Sequence, residues 1–598
     1  MTGWGRFKGY NMASLRKDIV SGTIVGIIAI PLGMAFAIAS GVKPEYGIYT
    51  TIIAGILISL FGGSKFQIGG PTGAFIPILF AIGMQYGYEN LLIAGMMAGV
   101  LLVLMGVFKL GVLIKFIPRP VTIGFTAGIA VIIFTGQIGN FLGLTGMERH
   151  EAFIDNMKEI GAHISTINIY SIITAVVSLV AILVLKKYAP KVPGSLVGLV
   201  LATVVATLFF KGEVATIGSA YGAIPSELPK FQFPHITWER ITQLIQPAFV
   251  IAMLGAIESL LSAVVADGMT GDKHDSNREL IGQGIANIAA PMFGGIAATG
   301  AIARTATNIK SGAVSPMSGI IHGIVVFLIL LLFAPYASNI PLAAMAPVLM
   351  VVAWNMSERK EFARLFKTKT GDSLVLVITF LLTVFADLTL AVEVGLVLAA
   401  ILFVKQMGDT HNVSKVLPDP ETVKVKPHMV SEHHDCPQIG IYTMEGPLFF
   451  GAAYRFDDTI PLSAAEENKV ILLRMGKVPF IDTTAELMLE TLVEKVHSAG
   501  GKLLISGIQS QPLSLLQRTG LYEKIGESHF YDHTGDAINE ALASIQYGTC
   551  YGCQHTAFRE CSVLCSKEIK EGQEMKDSFL QLGKIKHSPA AHLSTRAE

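Results

Sequence analysis

The sequence predicts an all-α membrane domain followed by a small α/β domain. Three observations carry this reading. Of the 598 residues, 51% are apolar and only 15% charged, where soluble domains run near ~25% charged. Apolar segments follow one another from residue 18 to residue 408, several near the ~20 residues that a bilayer crossing needs. Beyond residue 408 the pattern turns to short alternating strands and helices.

The apolar segments come in order. Near-crossing lengths fall at 19–39, 91–108, 121–142, 169–185, 196–210, 249–266, 320–334 and 374–386. Shorter or glycine-rich pieces fall at 48–61, 72–84, 281–293, 299–309, 341–354 and 392–404. Together they make about fourteen elements, some too short to span alone. The 60 glycines suit a bundle whose backbones approach closely.

Basic residues set the expected orientation. Arg6, Lys8, Arg16 and Lys17 precede the first span. Lys109, Lys115 and Arg119, then Lys186, Lys187 and Lys191, then Lys273 and Arg278, then Arg359, Lys360, Arg364, Lys367 and Lys369 follow even-numbered elements. All fall on one side if both termini are cytoplasmic. The loops 145–168 and 211–240 then lie outside. Residues 1–17 are polar and basic, and no cleavable signal peptide is read there. Zero formal net charge removes the argument for a nucleic-acid partner. None of the five cysteines lies in the apolar region, which excludes a secreted disulfide scaffold.

Residues 409–437, with several prolines and His433-His434, read as a linker. Strands are expected at 438–444, 470–475 and 502–506, and helices at 484–499, 512–519 and 536–545. The domain division is thus 1–17, 18–408, 409–437, 438–545 and a polar tail at 546–598.

Two apolar stretches are interrupted alike. Gly69-Gly70-Pro71-Thr72-Gly73-Ala74 stands in the first half and Gly294-Gly295-Ile296-Ala297-Ala298-Thr299-Gly300-Ala301 in the second. Paired interruptions point to an inverted repeat with two broken helices. Unwound backbone at bilayer depth needs protein or a watery cavity around it. A helix N-terminus carries unpaired N–H groups and partial positive charge, so two of them facing each other seat an anion. The half-helix segments Thr72, Gly73, Ala74, Phe75 and Gly300, Ala301, Ile302, Ala303, Arg304 are the expected substrate contacts. Arg304 adds a full positive charge, and Phe36 on the first span is a candidate cavity wall. The alternative is that the glycines serve packing alone.

Glu258 lies in an otherwise apolar span, where an ionisable side chain is functional by default. It is read as a proton-coupling carboxylate or as a partner of Arg304. Asp267, Asp387 and Glu393 lie nearer segment ends and are read as loop or capping residues. In the tail, Cys550-x2-Cys553 and Cys561-x3-Cys565 flank His555. Such thiols hold zinc tetrahedrally or remain reduced and unliganded. No cofactor is expected.

Longer motifs carry a resemblance. Pro31-Leu32-Gly33-Met34-Ala35-Phe36-Ala37 with Gly41-Val42-Lys43-Pro44-Glu45-Tyr46-Gly47-Ile48-Tyr49-Thr50 resembles the signature of the SulP (sulfate permease) family. Gly255-Ala256-Ile257-Glu258-Ser259-Leu260-Leu261, Asp267-Gly268-Met269-Thr270-Gly271, RELIGQGIAN from Arg278 and Ala353-Trp354-Asn355-Met356-Ser357 resemble it too. The resemblance implies two inverted repeats of seven segments, divided into core and gate subdomains. It also implies a cytosolic C-terminal STAS domain with a cytosolic partner, and a homodimer. Gly446-Pro447-Leu448-Phe449-Phe450 is similar to the early part of a STAS domain. Asp482-Thr483-Thr484 stands where the family often carries Asp-Ser-Ser. Thr483 and Thr484 are therefore candidate regulatory phosphorylation sites, or plain helix caps.

Within the family, Glu258, Ser262, Arg304 and the stretch 341–357 resemble the bacterial C4-dicarboxylate (succinate) branch. The sodium-dependent bicarbonate members tend to carry Asp at Glu258 and Thr at Ser262 and Ile302. A hard cation wants oxygen ligands, and Ile302 offers none. The expected function is proton-coupled C4-dicarboxylate uptake across the cytoplasmic membrane by alternating access. Sulfate or bicarbonate transport, sodium coupling and an anion channel are the alternatives. No nucleophile–base set and no P-loop is read, so an enzyme or ATP-driven pump is not expected.

Overall fold

A computed structural model describes residues 10–112, 117–189, 192–227, 230–386, 388–418, 425–426, 429–431, 434–452, 460, 468–550, 553–555, 557–558 and 560–561. The readings on Arg6, Lys8, Lys115, Lys191, Asp387, His433 and Cys565 lie outside these residues. Two units divide between Ala399 and Ala400.

The first unit opens with α1 (Met12–Ala39), begun where the Asn11 side chain accepts from the Ser14 N–H at 2.9 Å. α2 (Pro44–Phe61) carries proline in its first turn, where no N–H is needed. The extended pair β1 (Gly69–Gly70) leads through a tight turn at Gly73–Phe75 into α3 (Ile76–Val107). Gly87, at φ 81°, breaks α3 into a half-helix and a full span. A residue with a side chain would be strained there. The segments read separately at 72–84 and 91–108 are thus joined directly at this kink.

α4 (Arg119–Gly136), α5 (Ile138–Leu142), α6 (Phe153–Ala162), α7 (Ile169–Tyr188), α8 (Gly194–Phe209) and α9 (Ile217–Tyr221) complete the first half. The second half repeats the order: two helices, a two-residue strand, a short helix. These are α10 (Trp238–Thr270), α11 (Ser276–Met292), β2 (Thr299–Gly300) and α12 (Ile302–Lys310). Then come α13 (Met317–Ala337), α14 (Leu342–Met356), α15 (Arg359–Lys367), α16 (Gly371–Phe385) and α17 (Leu388–Asp409). Three helices escaped the sequence reading: α6 and α15 are amphipathic surface pieces and α9 is one short turn. α10 also begins at Trp238 rather than 249, because Thr237 caps it ahead of its apolar stretch.

Packing sorts the spans into two sets, a core and a gate. α1, α2, α3, α10, α11 and α13 pack on one another, and α12 lies against α10 and α1. α4, α7, α8, α14 and α16 form the second set. Small residues set the closest approaches. A Cβ on Gly99 of α3 would come within 2.7 Å of the Gly284 carbonyl oxygen, and one on Gly284 within 2.5 Å of that of Gly99. Among the described residues, eight helices are long and apolar enough to cross a membrane. Outward side chains such as Val180, Leu183, Val200 and Leu208 are exposed and apolar, as a lipid-facing surface requires.

The second unit is an α/β sheet in the order β3 (Asn412–Lys415), β6 (Ile439–Glu445), β7 (Val470–Lys477), β8 (Lys502–Ser506), β9 (Phe530–Tyr531). Between β3 and β6 lies a two-stranded ribbon of β4 (Leu417–Pro418) and β5 (Val425–Lys426). β6 to β9 are parallel and β3 joins antiparallel. The central strands are buried along nearly their whole length, as parallel strands covered on both faces must be. Helix Thr483–Ser498 supplies Leu489, Leu492, Val493 and Val496 to one face. Helix Thr534–Ala543 supplies Ala537, Ala541 and Leu542 to the other. Two readings change here. The stretch read as linker supplies the edge strand β3, and the stretch read as a polar tail contributes buried Ala557 and Phe558 to the second face.

Candidate functional site

The site is built where the chain crosses itself. β1 and β2 pair antiparallel, Gly69 opposite Gly300 and Gly70 opposite Thr299. The Ala301 N–H donates to the Ile68 carbonyl at 2.8 Å. The pairing sets the starts of the two half-helices side by side. Side chains of the second half-helix lock the strand of the first: the Thr305 hydroxyl accepts from the Ile68 N–H at 3.0 Å, and Asn308 Nδ2 donates to the Phe66 carbonyl at 3.0 Å. A Cβ on Gly300 would sit 1.6 Å from Gln67 Nε2, so any side chain there displaces Gln67 from its bond to the Ser259 carbonyl.

α10 backs the crossing with polar side chains. Ser259 Oγ lies 2.6 Å from Thr299 Oγ1 and accepts from the Gly300 N–H at 3.2 Å. Gln67 Nε2 donates to the Ser259 carbonyl at 3.0 Å, and Ser262 Oγ donates to Thr305 Oγ1 at 3.3 Å. The sequence reading singled out Glu258 and used Ser262 only for comparison. It missed Ser259, Gln67, Thr299 and Thr305 as a set. Hydroxyls repeated on the Glu258 side of an apolar span were the available signal.

Neither half-helix end is capped by a side chain. Thr72 and Ala301 are the N-cap residues, and neither makes a side-chain cap bond. The Thr72 hydroxyl goes instead to Glu258 Oε2 at 2.9 Å. The first N–H groups of both half-helices therefore remain available to an anion. In front of Gly73, a methyl group would lie 3.4 Å from Ile133 Cδ1, 3.4 Å from Met356 Sδ and 3.7 Å from Phe36 Cε1. The structure thus brings Phe36 to the first half-helix and adds Ile133 of α4 and Met356 of α14, neither of which was read as a site residue. Ala74 and Phe75 are buried, and Phe75 packs toward Gly255 of α10.

A cavity of about 480 Å³ reaches Glu258 and Ile302, walled by α4, α10 and α17. Ile302 and Ala303 are exposed, whereas Gly300 and Ala301 are buried. Glu393 lines the same cavity. It lies within α17, on the same cavity as Glu258 of α10, which corrects its reading as a loop or capping residue. Asp267 does serve a loop, accepting from the His274 backbone N–H at 3.1 Å and lying 2.7 Å from its ring.

Arg304 lies inside the crossing. It is 3% exposed, and its Nη2 donates to the Pro71 carbonyl, just ahead of the first half-helix. Its Nη1 lies against Gly70. The guanidinium thus meets the first strand, its Nη1 is buried without a hydrogen-bond partner, and among the described residues no ion pair joins it to Glu258. The Thr483–Thr484 pair is also placed differently. Asp482 is the N-cap of that helix, accepting from the Ala485 N–H at 2.8 Å, while both threonines are exposed in its first turn. Cys550, Cys553 and Cys561 lie beside the second face of the sheet. Among the described residues no group of three metal-ligating side chains is assembled.

Comparison with known proteins decides the family. The sulfate permease family model matches residues 15–379. The chain belongs to the sulfate permease family. A STAS domain model matches residues 429–537, so the second unit is this permease's STAS domain. The permease is 58% identical over 529 residues to the Bacillus subtilis protein named "Putative sulfate transporter YvdB", covering 88% of this chain and 98% of that one. It is 29% identical over 552 residues to "Bicarbonate transporter BicA" of Picosynechococcus, covering 89% and 95%. Among solved structures, murine Slc26a9 in the inward-facing state superposes with a TM-score of 0.82 at 19% identity, over 90% of this chain and 93% of that one. The BicA transmembrane domain superposes with a TM-score of 0.58 at 30% identity, over 64% and 98%. The permease shares their fold: a helical membrane domain followed, as in the Slc26a9 match, by a C-terminal domain.

Proposed function

We propose that this permease is a proton-coupled transporter of small oxyanions, with sulfate the first substrate to test. The observation that carries the coupling is the hydrogen bond from Thr72 to Glu258. It ties an ionisable carboxylate on α10 to the first residue of a half-helix whose N–H groups are free to seat an anion. An ionised Glu258 beside that seat repels the anion, and a protonated one does not. Proton and anion therefore enter as a pair. The core set then moves against the gate and opens the seat to the other side.

Sulfate is favoured by the identity to the YvdB protein over nearly its full length. C4-dicarboxylates are the second reading, supported by the resemblance at Glu258, Ser262, Arg304 and 341–357. Sodium coupling is disfavoured because Ile302 lines the cavity without an oxygen. The permease is assigned to the cytoplasmic membrane with both termini inside. A homodimer and a cytosolic partner of the STAS domain complete the proposal. Uptake into proteoliposomes with sulfate, succinate, fumarate, bicarbonate and chloride, each under a pH or a sodium gradient, tests it. Accumulation of an oxyanion driven by the pH gradient supports the reading. Accumulation driven by sodium alone overturns the coupling.

A further inference from the structure

Residues 358–370, between the spans α14 and α16, carry five basic side chains and two acidic ones. Most of them form the helix α15 (Arg359–Lys367). Glu358 and Lys369 bracket it at φ 41° and 52°, and among the described residues only Lys109 shares such a φ without being glycine. The chain accepts strained backbone at both ends of this helix. The Ser373 hydroxyl of α16 donates to the Leu365 carbonyl at 2.6 Å, which ties the end of α15 to the start of that span. Phe362 packs edge-on against Phe380 of α16, with ring centres 5.4 Å apart. α15 also packs on α4, and Arg119 at the start of α4 lies within electrostatic reach of Glu358.

The helix has two unlike faces. Glu361, Phe362 and Leu365 turn inward and are partly buried, whereas Lys360, Arg364 and Lys367 recur at helical spacing on the opposite face and are exposed. Glu361 pairs with Arg364 at 2.6 Å, while Lys360, Lys367 and Lys369 make no ion pair among the described residues. Two aromatic rings stand among these charges: Trp354 is 53% exposed and Phe366 57%. The Arg359 guanidinium lies 3.5 Å from the centre of the Trp354 ring, a cation–π contact. Lys186, at the end of α7, donates to Asn355 at 3.1 Å, so the basic end of another span reaches the same place. A surface facing only water gains nothing from an exposed tryptophan and phenylalanine between its lysines. The boundary of a bilayer favours them, because aromatic rings sit at headgroup depth.

We propose that α15, with Trp354 and Lys369, is a binding surface for anionic phospholipid headgroups and ties the gate helices α4, α14 and α16 to the leaflet beside it. A lysine or arginine next to a membrane span strengthens the hold on anionic lipid about fivefold. The Trp354 and Phe366 rings reach the apolar edge of the same lipids, while the ammonium and guanidinium heads stay with the phosphates. An acidic protein segment is the other partner such charge could take, and the place of α15 between two spans favours the lipid. Which leaflet this is follows from the orientation proposed above. The lipid affinity measured below does not depend on that orientation or on the transport reading.

The test counts lipids on the full-length permease by native mass spectrometry. Protein purified in detergent is titrated with dioleoyl phosphatidylglycerol and with zwitterionic dioleoyl phosphatidylcholine. Affinity for phosphatidylglycerol is expected to exceed that for phosphatidylcholine at least about tenfold and to weaken with added salt. The double variant Lys360→Gln, Lys367→Gln is expected to lose at least about tenfold of that affinity, and Lys158→Gln on the exposed helix α6 to lose none. Hydrogen exchange on the unsubstituted permease keeps the proposal testable if the double variant misfolds: phosphatidylglycerol slows exchange across α15, and phosphatidylcholine and inorganic phosphate do not. Equal affinity for the two lipids, an unchanged affinity in the double variant, or protection of α15 by inorganic phosphate or by an acidic peptide in place of phosphatidylglycerol each overturns the surface.

Discussion

Thr72 donates its hydroxyl hydrogen to Glu258 across 2.9 Å, although Thr72 is the N-cap residue of its half-helix and a cap threonine would ordinarily turn inward. The hydroxyl joins the first repeat to the second at the point where both half-helices begin. Replacing it tests the junction directly. Thr72→Val keeps the shape and removes the bond, and a bond to a charged group contributes about 1.5–3 kcal/mol. Uptake falls about 10- to 100-fold, the melting temperature falls modestly, and expression holds. Thr72→Ser restores most of the rate. An unchanged rate in the valine variant removes Thr72 from the coupling.

Gly73 and Gly300 separate function from folding. A Cβ on Gly73 meets only ordinary contacts at 3.4 Å or beyond, whereas one on Gly300 would lie 1.6 Å from Gln67 Nε2. Gly73→Ala therefore folds but fills the space before the half-helix, and anion affinity drops. Gly300→Val disturbs the crossing and lowers yield and melting temperature. Size-exclusion profiles and binding by calorimetry distinguish the two.

Arg304→Ala is expected to destabilise more than it weakens binding. The substitution leaves the Pro71 carbonyl unpaired in a buried place, at a cost of about 1–3 kcal/mol. The melting temperature of the membrane domain drops, and the anion Kd of the surviving fraction changes by less than tenfold. A Kd raised a hundredfold with an unchanged melting temperature would return Arg304 to the anion.

The sequence carried much of this architecture because membrane spans announce themselves by composition, and because the two interruptions at Gly69-Gly70 and Gly294-Gly295 were paired. It carried the strands β6, β7 and β8 as apolar runs. It did not carry β3 or β9, which are short edge strands recognised only by what they pair with. It put a charge at Arg304 but not its partner, since Arg304 reaches a carbonyl distant in sequence. Ile133 and Met356 look like any other apolar span residues until the fold sets them before Gly73. Glu393 misled for a similar reason: its place near the start of α17 suggested a loop, and only the packing of α10 and α4 makes it a cavity wall.

In the STAS domain, Asp482 accepts from both the Ala485 and the Phe450 N–H groups, at 2.8 and 3.0 Å. Asp482→Ala removes a helix cap and a loop anchor together, and costs about 1–2 kcal/mol. Hydrogen exchange at the start of helix Thr483–Ser498 rises about five- to thirtyfold. Thr483→Ala and Thr484→Ala leave that exchange nearly unchanged, because neither hydroxyl is the cap.

The central claim is that Glu258 carries the proton that drives the anion. The most direct test is sulfate accumulation in proteoliposomes under an inward pH gradient, comparing the unsubstituted permease with Glu258→Gln. The unsubstituted permease is expected to concentrate sulfate above equilibrium. The Glu258→Gln protein is expected to bind and exchange sulfate but only to equilibrate it, at any gradient. Sulfate concentrated by the Glu258→Gln protein under the same gradient would contradict the account.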